Sequence, residues 1–354
     1  MAKSFRGFTV YLTQYTFRPG QSTVNWLIIR HALSKVIEHT NANPLWMGAI
    51  MPGKIISLVN FKGGVGKTTL TVNLAACLAK EHDKKVLIVD LDPQSNASIW
   101  LLGPARWSLM NSENKVKKTS EAMFYGQTNE DIFLTPFVDP AGNFLPKFHL
   151  CPATLHMLEL EPTILKWALM RRVNGTYQTG DEYFLLSKAA QFLREWFDFV
   201  LVDCPPNLYF GTCNALCHSD YILIPCIPDT LSTSGLKQMI ERMEKTTRPL
   251  LKSQRLKHVP RIMGIVITKL KPVIEHQSGL EIIESIISDF RNGDYLLVDK
   301  HSVMFRDQPI GEYVVHAEAV QDGLPLCFYA PPSHAYGQVK ACTQAVLDAV
   351  ESRE

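Results

Sequence analysis

The sequence predicts an α/β fold, a doubly wound and mainly parallel sheet with helices on both faces. Two observations carry this reading. Short, continuous apolar and β-branched runs, the pattern of strands buried on both sides, alternate with longer segments of helical spacing. The glycine-rich and acidic motifs fall at the carboxyl ends of those runs, where open α/β sheets bind their ligands.

Taken in order, KIISLVN (54–60) reads as the first buried strand and TTLTVNLAACLAK (68–80) as the helix after it. VLIVD (86–90) is the second strand. Residues 103–150 are less regular, with a charged tract (113–121, ENKVKKTSE) and a turn-like tract (139–142, DPAG). They read as loops and short helices inserted between two strands of one domain, and so do residues 171–180. Helical spacing returns at 185–196, followed by strands at 199–203 (FVLVD) and 221–225 (YILIP), a helix at 235–245 and a strand at 262–268. Strands alternating with helices imply right-handed crossovers and a doubly wound sheet. There is no internal repeat.

The first 52 residues are expected to form an extension to the domain spanning 53–354. FTVYLTQYTF alternates like a strand, and VNWLIIRHALSKVIEH has amphipathic helical spacing opened by Ser22 or Thr23. Such a unit cannot bury its apolar face alone, so it must dock on the main domain or on another subunit. A second reading stands beside this one: the natural start is Met47 or Met51, and the leader is an artefact of start-site choice.

The chain has 354 residues, 46% of them hydrophobic, enough for one large α/β domain or two modest ones. A formal charge of +2 gives no global reason to expect a nucleic-acid or membrane partner, so any basic surface must be local. The eight cysteines lie mostly in apolar runs and lack the spacing of a disulfide scaffold or a metal site, which fits buried thiols in a reducing cytoplasm. No run of about 18 apolar residues exists to span a bilayer. Polar residues interrupt the N-terminal segment where a signal peptide would need its apolar core.

The stretch FKGGVGKTT (61–69) places a glycine loop between strand and helix. Its end follows the phosphate-binding pattern G-x-x-x-x-G-K-[ST], except that Phe61 stands where the first glycine belongs. Gly63, Gly64, Val65, Gly66, Lys67, Thr68 and Thr69 are therefore the expected nucleotide cradle. The glycines let backbone N–H groups converge on phosphate, and the helix adds its positive end. Lys67 is placed to reach the β and γ phosphates, and the Thr68 hydroxyl to join a Mg²⁺ shell. In VLIVDLDPQSN (86–96), Asp90 and Asp92 are two apart at a strand end and so face one side, toward the phosphates. Asp203 ends the strand of FDFVLVDCPPNL (197–208), the place for a magnesium carboxylate.

KGGVGKTT resembles the deviant Walker A motif of the ParA/MinD family of P-loop ATPases, and the resemblance runs from about residue 54 to 350. It implies a P-loop NTPase fold of SIMIBI type, ATP and Mg²⁺ as cofactors, and an ATP-dependent homodimer. Lys62 is the family's signature lysine. By that resemblance it binds the nucleotide of the facing subunit and brings positive charge to the transferring phosphoryl group, so Lys62, Lys67 and Asp92 are the expected catalytic residues. Asp92 then positions or activates the attacking water, Asp90 supports the magnesium or the loop lysine, and Thr68 with Asp203 holds the metal. Cys204 departs from the family's Asp-Thr-Pro-Pro pattern and removes a hydroxyl from the phosphate-sensing side. The segments around Thr268 and Pro331 are expected near the adenine.

Residues 241–261 carry seven basic side chains against two acidic ones. The local excess suits phosphate-backbone contact without base reading, with Arg242, Lys245, Arg248, Lys252, Arg255 and Lys257 as candidates. The C-terminal segment VKACTQAVLDAVESRE lacks the aromatics and net basic charge of a membrane-anchoring helix. The expectation is thus a cytoplasmic, ParA-type ATPase, nucleoid-associated when ATP-bound, that segregates or positions a plasmid, chromosome region or protein cargo. A ParB-like or cargo-adaptor partner would stimulate it. The alternative is an ATP-dependent dimerisation switch for another effector, without DNA transport.

Overall fold

The computed structural model describes residues 52–112, 119–134, 145–256 and 258–353. The expected N-terminal strand and helix, most of the charged tract, the DPAG turn and Lys257 lie outside these residues. The first half of the chain runs β1 (Lys54–Leu58), α1 (Lys67–Glu81), β2 (Val86–Asp90), α2 (Asn96–Leu102), α3 (Pro104–Ser112), α4 (Ser120–Phe124), β3 (Phe148–Cys151), α5 (Leu160–Val173) and α6 (Ser187–Trp196). The second half runs β4 (Phe199–Asp203), α7 (Phe210–His218), β5 (Tyr221–Cys226), α8 (Thr230–Lys252), β6 (Arg261–Leu270), α9 (Ile274–Asn292) and β7 (Val303–Gly311). It closes with α10 (Val314–Gln321), α11 (Leu326–Tyr329) and α12 (His334–Glu351).

The strands form one seven-stranded sheet in the order β3-β2-β4-β1-β5-β6-β7, and every pairing is parallel. Because successive side chains point to opposite faces, one strand feeds two cores. Ile55, Val89, Val200 and Ile224 pack with Ile164 of α5, Leu193 of α6, Met239 of α8 and Ile283 of α9. Ile56, Ile88, Leu201 and Leu223 pack with Leu74 and Leu78 of α1 and Val339 and Val346 of α12. This double coverage is why the strands read as unbroken apolar runs rather than as alternation. β1 lies between β4 and β5, so the chain leaves the sheet's centre in both directions, and the loop after β1 sits at a topological switch point.

Two strands depart from the sequence reading. The stretch 103–150 does not remain irregular: its end forms β3, paired with β2 from Val86↔Phe148 to Val89↔Cys151. Four residues are too short to show periodicity. β7 is an edge strand with register shifts against β6, and its exposed Arg306 and Asp307 hide the apolar pattern. The helix expected at 235–245 extends over Thr230–Lys252 because Asp229 caps it, its carboxylate accepting the Ser232 N–H at 2.6 Å. All eight cysteines are buried free thiols, with Cys213 and Cys217 one turn apart on α7. Among the described residues no helix is long and apolar enough to cross a membrane.

Candidate active site

Five neighbouring strands, β2-β4-β1-β5-β6, deliver Asp92, Asp203, the phosphate loop, Asp229 and Thr268 side by side along the carboxyl edge of the sheet. The loop's shape follows from its glycines. Gly64 (φ 74°) and Gly66 (φ 87°) take left-handed conformations that a β-carbon would strain. Added side chains at Gly63 and Gly64 would meet no protein atom within 4 Å, so the loop presents bare backbone to the cleft. Thr268 braces it from β6 by donating to the Val65 carbonyl at 2.8 Å. Two residues past β1, Asn60 donates to Pro225 O and accepts the Lys62 N–H, both at 2.8 Å.

Lys67 opens α1 and is buried, its ammonium donating to the carbonyls of Asn60 (3.1 Å) and Lys62 (3.2 Å). Burial lowers its pKa, while the carboxylates of Asp203 and Asp92 act the other way. The Thr68 hydroxyl donates to Asp203 Oδ2 at 2.7 Å, and Thr71 reaches Oδ1 at 3.4 Å. Burial is the main cause that raises the Asp203 pKa, and the Asp92 charge adds to it. A hydroxyl and a carboxylate already paired, on the floor of a phosphate loop, form a donor set suited to a hard divalent cation; Thr68 and Asp203 would hold magnesium there.

Asp90 and Asp203 are direct partners in the β2–β4 register. Asp90 is fully buried, and burial and the Asp203 charge raise its pKa. Its carboxylate accepts from the Ser98 N–H (3.0 Å), the Ser98 hydroxyl (2.7 Å) and the Asp92 N–H (3.1 Å). Asp90 therefore fixes the start of α2 and the backbone of Asp92, beside the Asp203 expected to hold the metal. Asp92 accepts the Gln94 N–H at 2.9 Å and lines the cleft. Cys204 is buried below the site and its thiol pKa is raised, chiefly by burial, so it stays neutral.

Lys62 does not point into its own cleft. Its ammonium is held by Asp229 at 3.0 and 3.1 Å and by the Ser232 hydroxyl at 2.8 Å, at the start of α8. The cleft, about 880 Å³, is lined by Gly63, Gly64, Gly66, Lys67, Thr68, Thr69 and Asp92 and extends to Trp100, Lys269 and the turn Val320–Gly323. Val65 is buried behind it. Lys269, beside Thr268, lines the cleft, as does the turn Val320–Gly323, whereas Pro331 is not among the residues lining it. Sequence reasoning missed Asp229 and Ser232, although Asp-Thr-Leu-Ser after an apolar run is a helix-start signal. Nothing comparable marked Val320–Gly323.

The basic tract is more divided than its sequence suggests. Arg242, Lys245 and Lys252 are exposed along α8 with no ion-pair partner among the described residues. Arg248 and Arg255, also expected to meet a nucleic-acid backbone, are engaged in ion pairs within the chain. Arg248 pairs with Glu244 (2.9 Å) and Asp294 (3.1 Å), and Arg255 with Asp181 (2.7 Å).

Residues 53–256 match the family model described as an AAA domain. The sporulation initiation inhibitor protein Soj of Bacillus subtilis is 29% identical over 285 residues, covering 79% of this chain and 93% of its own. The chromosome partitioning protein ParA of Myxococcus xanthus is 28% identical over 264 residues, with 73% and 78% covered. Among solved structures, cobyrinic acid a,c-diamide synthase of Mycobacterium smegmatis, with bound ATP analogue and magnesium, superposes with a TM-score of 0.58. It shares 20% identity over 85% of this chain and 97% of that one, a likeness of fold.

Proposed function

The chain belongs to the ParA/MinD family of P-loop ATPases, and from that premise we propose that it is a magnesium-dependent ATPase of the partition type. In this reading ATP closes a homodimer, the closed form holds duplex DNA without reading its bases, and partner-stimulated hydrolysis releases it. The cycle would segregate or position a plasmid, chromosome region or protein cargo. The observation that carries it is the gathering of Lys67, Thr68, Asp92 and Asp203 around one phosphate loop, with Lys62 at its edge. Lys67 would bind the β and γ phosphates, Asp92 would orient the attacking water, and Lys62 would serve the twin's nucleotide.

The face bearing the cleft supports pairing. Leu155 and Leu158 after β3, Tyr209 after β4, Leu231 after β5, Ile274 after β6 and Val314 after β7 are all exposed on the same edge of the sheet. The connections entering β2, β4, β5, β6 and β7 at the opposite edge carry no exposed large apolar side chain among the described residues. An apolar rim around a charged cleft is what a face-to-face contact between two copies would cover.

Arg242, Lys245 and Lys252 support the DNA step as phosphate contacts. The internal ion pairs of Arg248 favour the second reading, a dimerisation switch for another effector without DNA transport. One experiment separates them: retention on arbitrary duplex DNA, with ATP and with ADP, across a salt series. ATP-dependent retention that weakens with salt and is lost in the Arg242→Ala/Lys245→Ala/Lys252→Ala variant supports transport. ATP-dependent pairing with unchanged DNA affinity would replace it with the switch.

A further inference from the structure

A second pocket, of about 550 Å³, opens beside α5 and α6 and shares no residue with the phosphate cleft. That volume is ample for a small organic ligand. Its charge is organised by Asp181, which is 9% exposed and lies in the turn before α6. Arg171 Nε, from α5, sits 3.0 Å from Asp181 Oδ2, Arg255 Nη2 sits 2.7 Å from Oδ1, and the Gln178 N–H reaches Oδ2 at 3.0 Å. Lys188, exposed at the start of α6, also lines the pocket. One carboxylate, paired with two arginines, and three cations thus line the pocket, which keeps an excess of two positive charges.

The apolar part of the lining is aromatic. The Arg171 guanidinium lies 5.1 Å from the Trp167 ring centre, and that of Arg255 lies 5.1 Å from Phe184. Tyr125 stands exposed at the rim. A purely structural ion triad would account for Asp181 and its two arginines, but neither for the third cation nor for the open cavity flanked by ring faces. Guanidinium groups fixed by a carboxylate and stacked on rings are preorganised to receive a phosphate, and an adjacent ring face accepts a flat base.

We propose that this pocket binds a nucleoside phosphate unit, with the phosphate on Arg171, Arg255 and Lys188 and the base against Trp167. The unit is presented either as a free nucleotide or as an unpaired position of a nucleic-acid strand; a base stacked inside a duplex does not fit. The assignment is independent of the ATPase reading.

The test uses the full chain carrying Lys67→Ala, which blanks the phosphate cleft, with two probes: fluorescein-labelled hexathymidylate and AMP. Saturable binding of the oligonucleotide alone identifies the strand as the source, binding of AMP alone identifies the free nucleotide, and either supports the site. In both cases Trp167→Ala and Lys188→Glu, added separately, should weaken binding about tenfold, the effect of one lost stacking or charge contact. Both positions lie outside the Asp181 triad, so a thermal melt should confirm intact folding; Arg171 and Arg255 are left alone because they neutralise a buried carboxylate. No saturable binding of either probe up to about 1 mM, or binding unchanged in both variants, would overturn the proposal.

Discussion

Lys62 Nζ lies 3.0 Å from Asp229 Oδ2, so the lysine expected to serve a facing subunit is held within its own chain. Asp229 does two jobs, because the same carboxylate caps α8 through the Ser232 N–H. Burial alone would raise its pKa, but the Ser232 N–H and the Lys62 ammonium outweigh it and hold the carboxyl low. Delivery of Lys62 across an interface therefore requires this pair to open. Asp229→Asn separates the two jobs: asparagine still caps a helix but no longer forms the ion pair. The pair is partly exposed, so stability should change by less than about 1 kcal/mol. ATP-driven dimerisation should then occur at a several-fold lower protein concentration, measured by light scattering. A midpoint that stays put or rises would show that the contact does not compete with pairing.

Lys67 and Asp92 line one cleft but should fail in different ways. Lys67→Ala removes the buried ammonium and should weaken ATP binding by at least about a hundredfold, since charge-assisted contacts to both terminal phosphates are lost. Asp92→Ala leaves the loop intact, so ATP affinity should persist while turnover falls by about 10²–10⁴ and the dimer accumulates. Isothermal titration and phosphate release measure the two effects. Normal ATP affinity in the first variant, or wild-type turnover in the second, would contradict the role assigned.

The parts of this site legible in the sequence are those whose chemistry is local. Gly63 to Thr69 announce a phosphate loop because spacing alone determines where N–H groups and hydroxyl fall, and Asp203 is readable as the last residue of an apolar run. Asp90 shows the limit: two aspartates at a strand end look equivalent, yet the β2–β4 register buries one against Asp203 and Ser98 and leaves the other in the cleft. Arg248 and Arg255 show it again. Their charges are visible in the sequence, and so is Glu244 one helical turn before Arg248, but Asp294 and Asp181 lie 46 and 74 residues away and meet them only in the fold. β3 and β7 escaped for a simpler reason, one being too short for periodicity and the other a polar edge.

Two buried histidines should make part of the stability acid-sensitive above the range of ordinary carboxylates. Burial, helped by the Lys85 charge, lowers the His149 pKa to about 4, and burial with the Arg194 charge does the same for His218. An unfolded histidine takes up its proton near pH 6.5. Between about pH 6.5 and 4 the unfolded chain thus binds protons at these two positions that the folded one does not, so their contribution to stability is fully present above this window and falls as pH drops through it, while the raised pKa values of buried Asp90 and Asp203 act the other way. Melting temperatures measured from pH 7.5 down to 4.5 should lose less, or gain more, in His149→Gln than in the wild type. An unchanged slope in that variant would remove His149 from the account.

Gly279 tests whether the placement of Asp229 depends on packing from behind. The glycine lies in α9 against the loop that carries Asp229, and a β-carbon there would sit 1.9 Å from the Pro228 carbonyl oxygen. Backbone cannot yield as a flexible side chain can, so Gly279→Ala should cost about 1–3 kcal/mol by overpacking. It should also displace the residue immediately before Asp229, loosening the Lys62 pair. The expected result is a lowered melting temperature together with easier ATP-driven pairing, a combination that Asp229→Asn reproduces only in its second half. Gly235→Ala provides the contrast. That glycine is also helical, in α8, but its added carbon meets no atom within 4 Å, so the better helix former should stabilise by about 0.5–1 kcal/mol. If both glycine variants melted alike, close contact behind the Asp229 loop would not be what holds it in place.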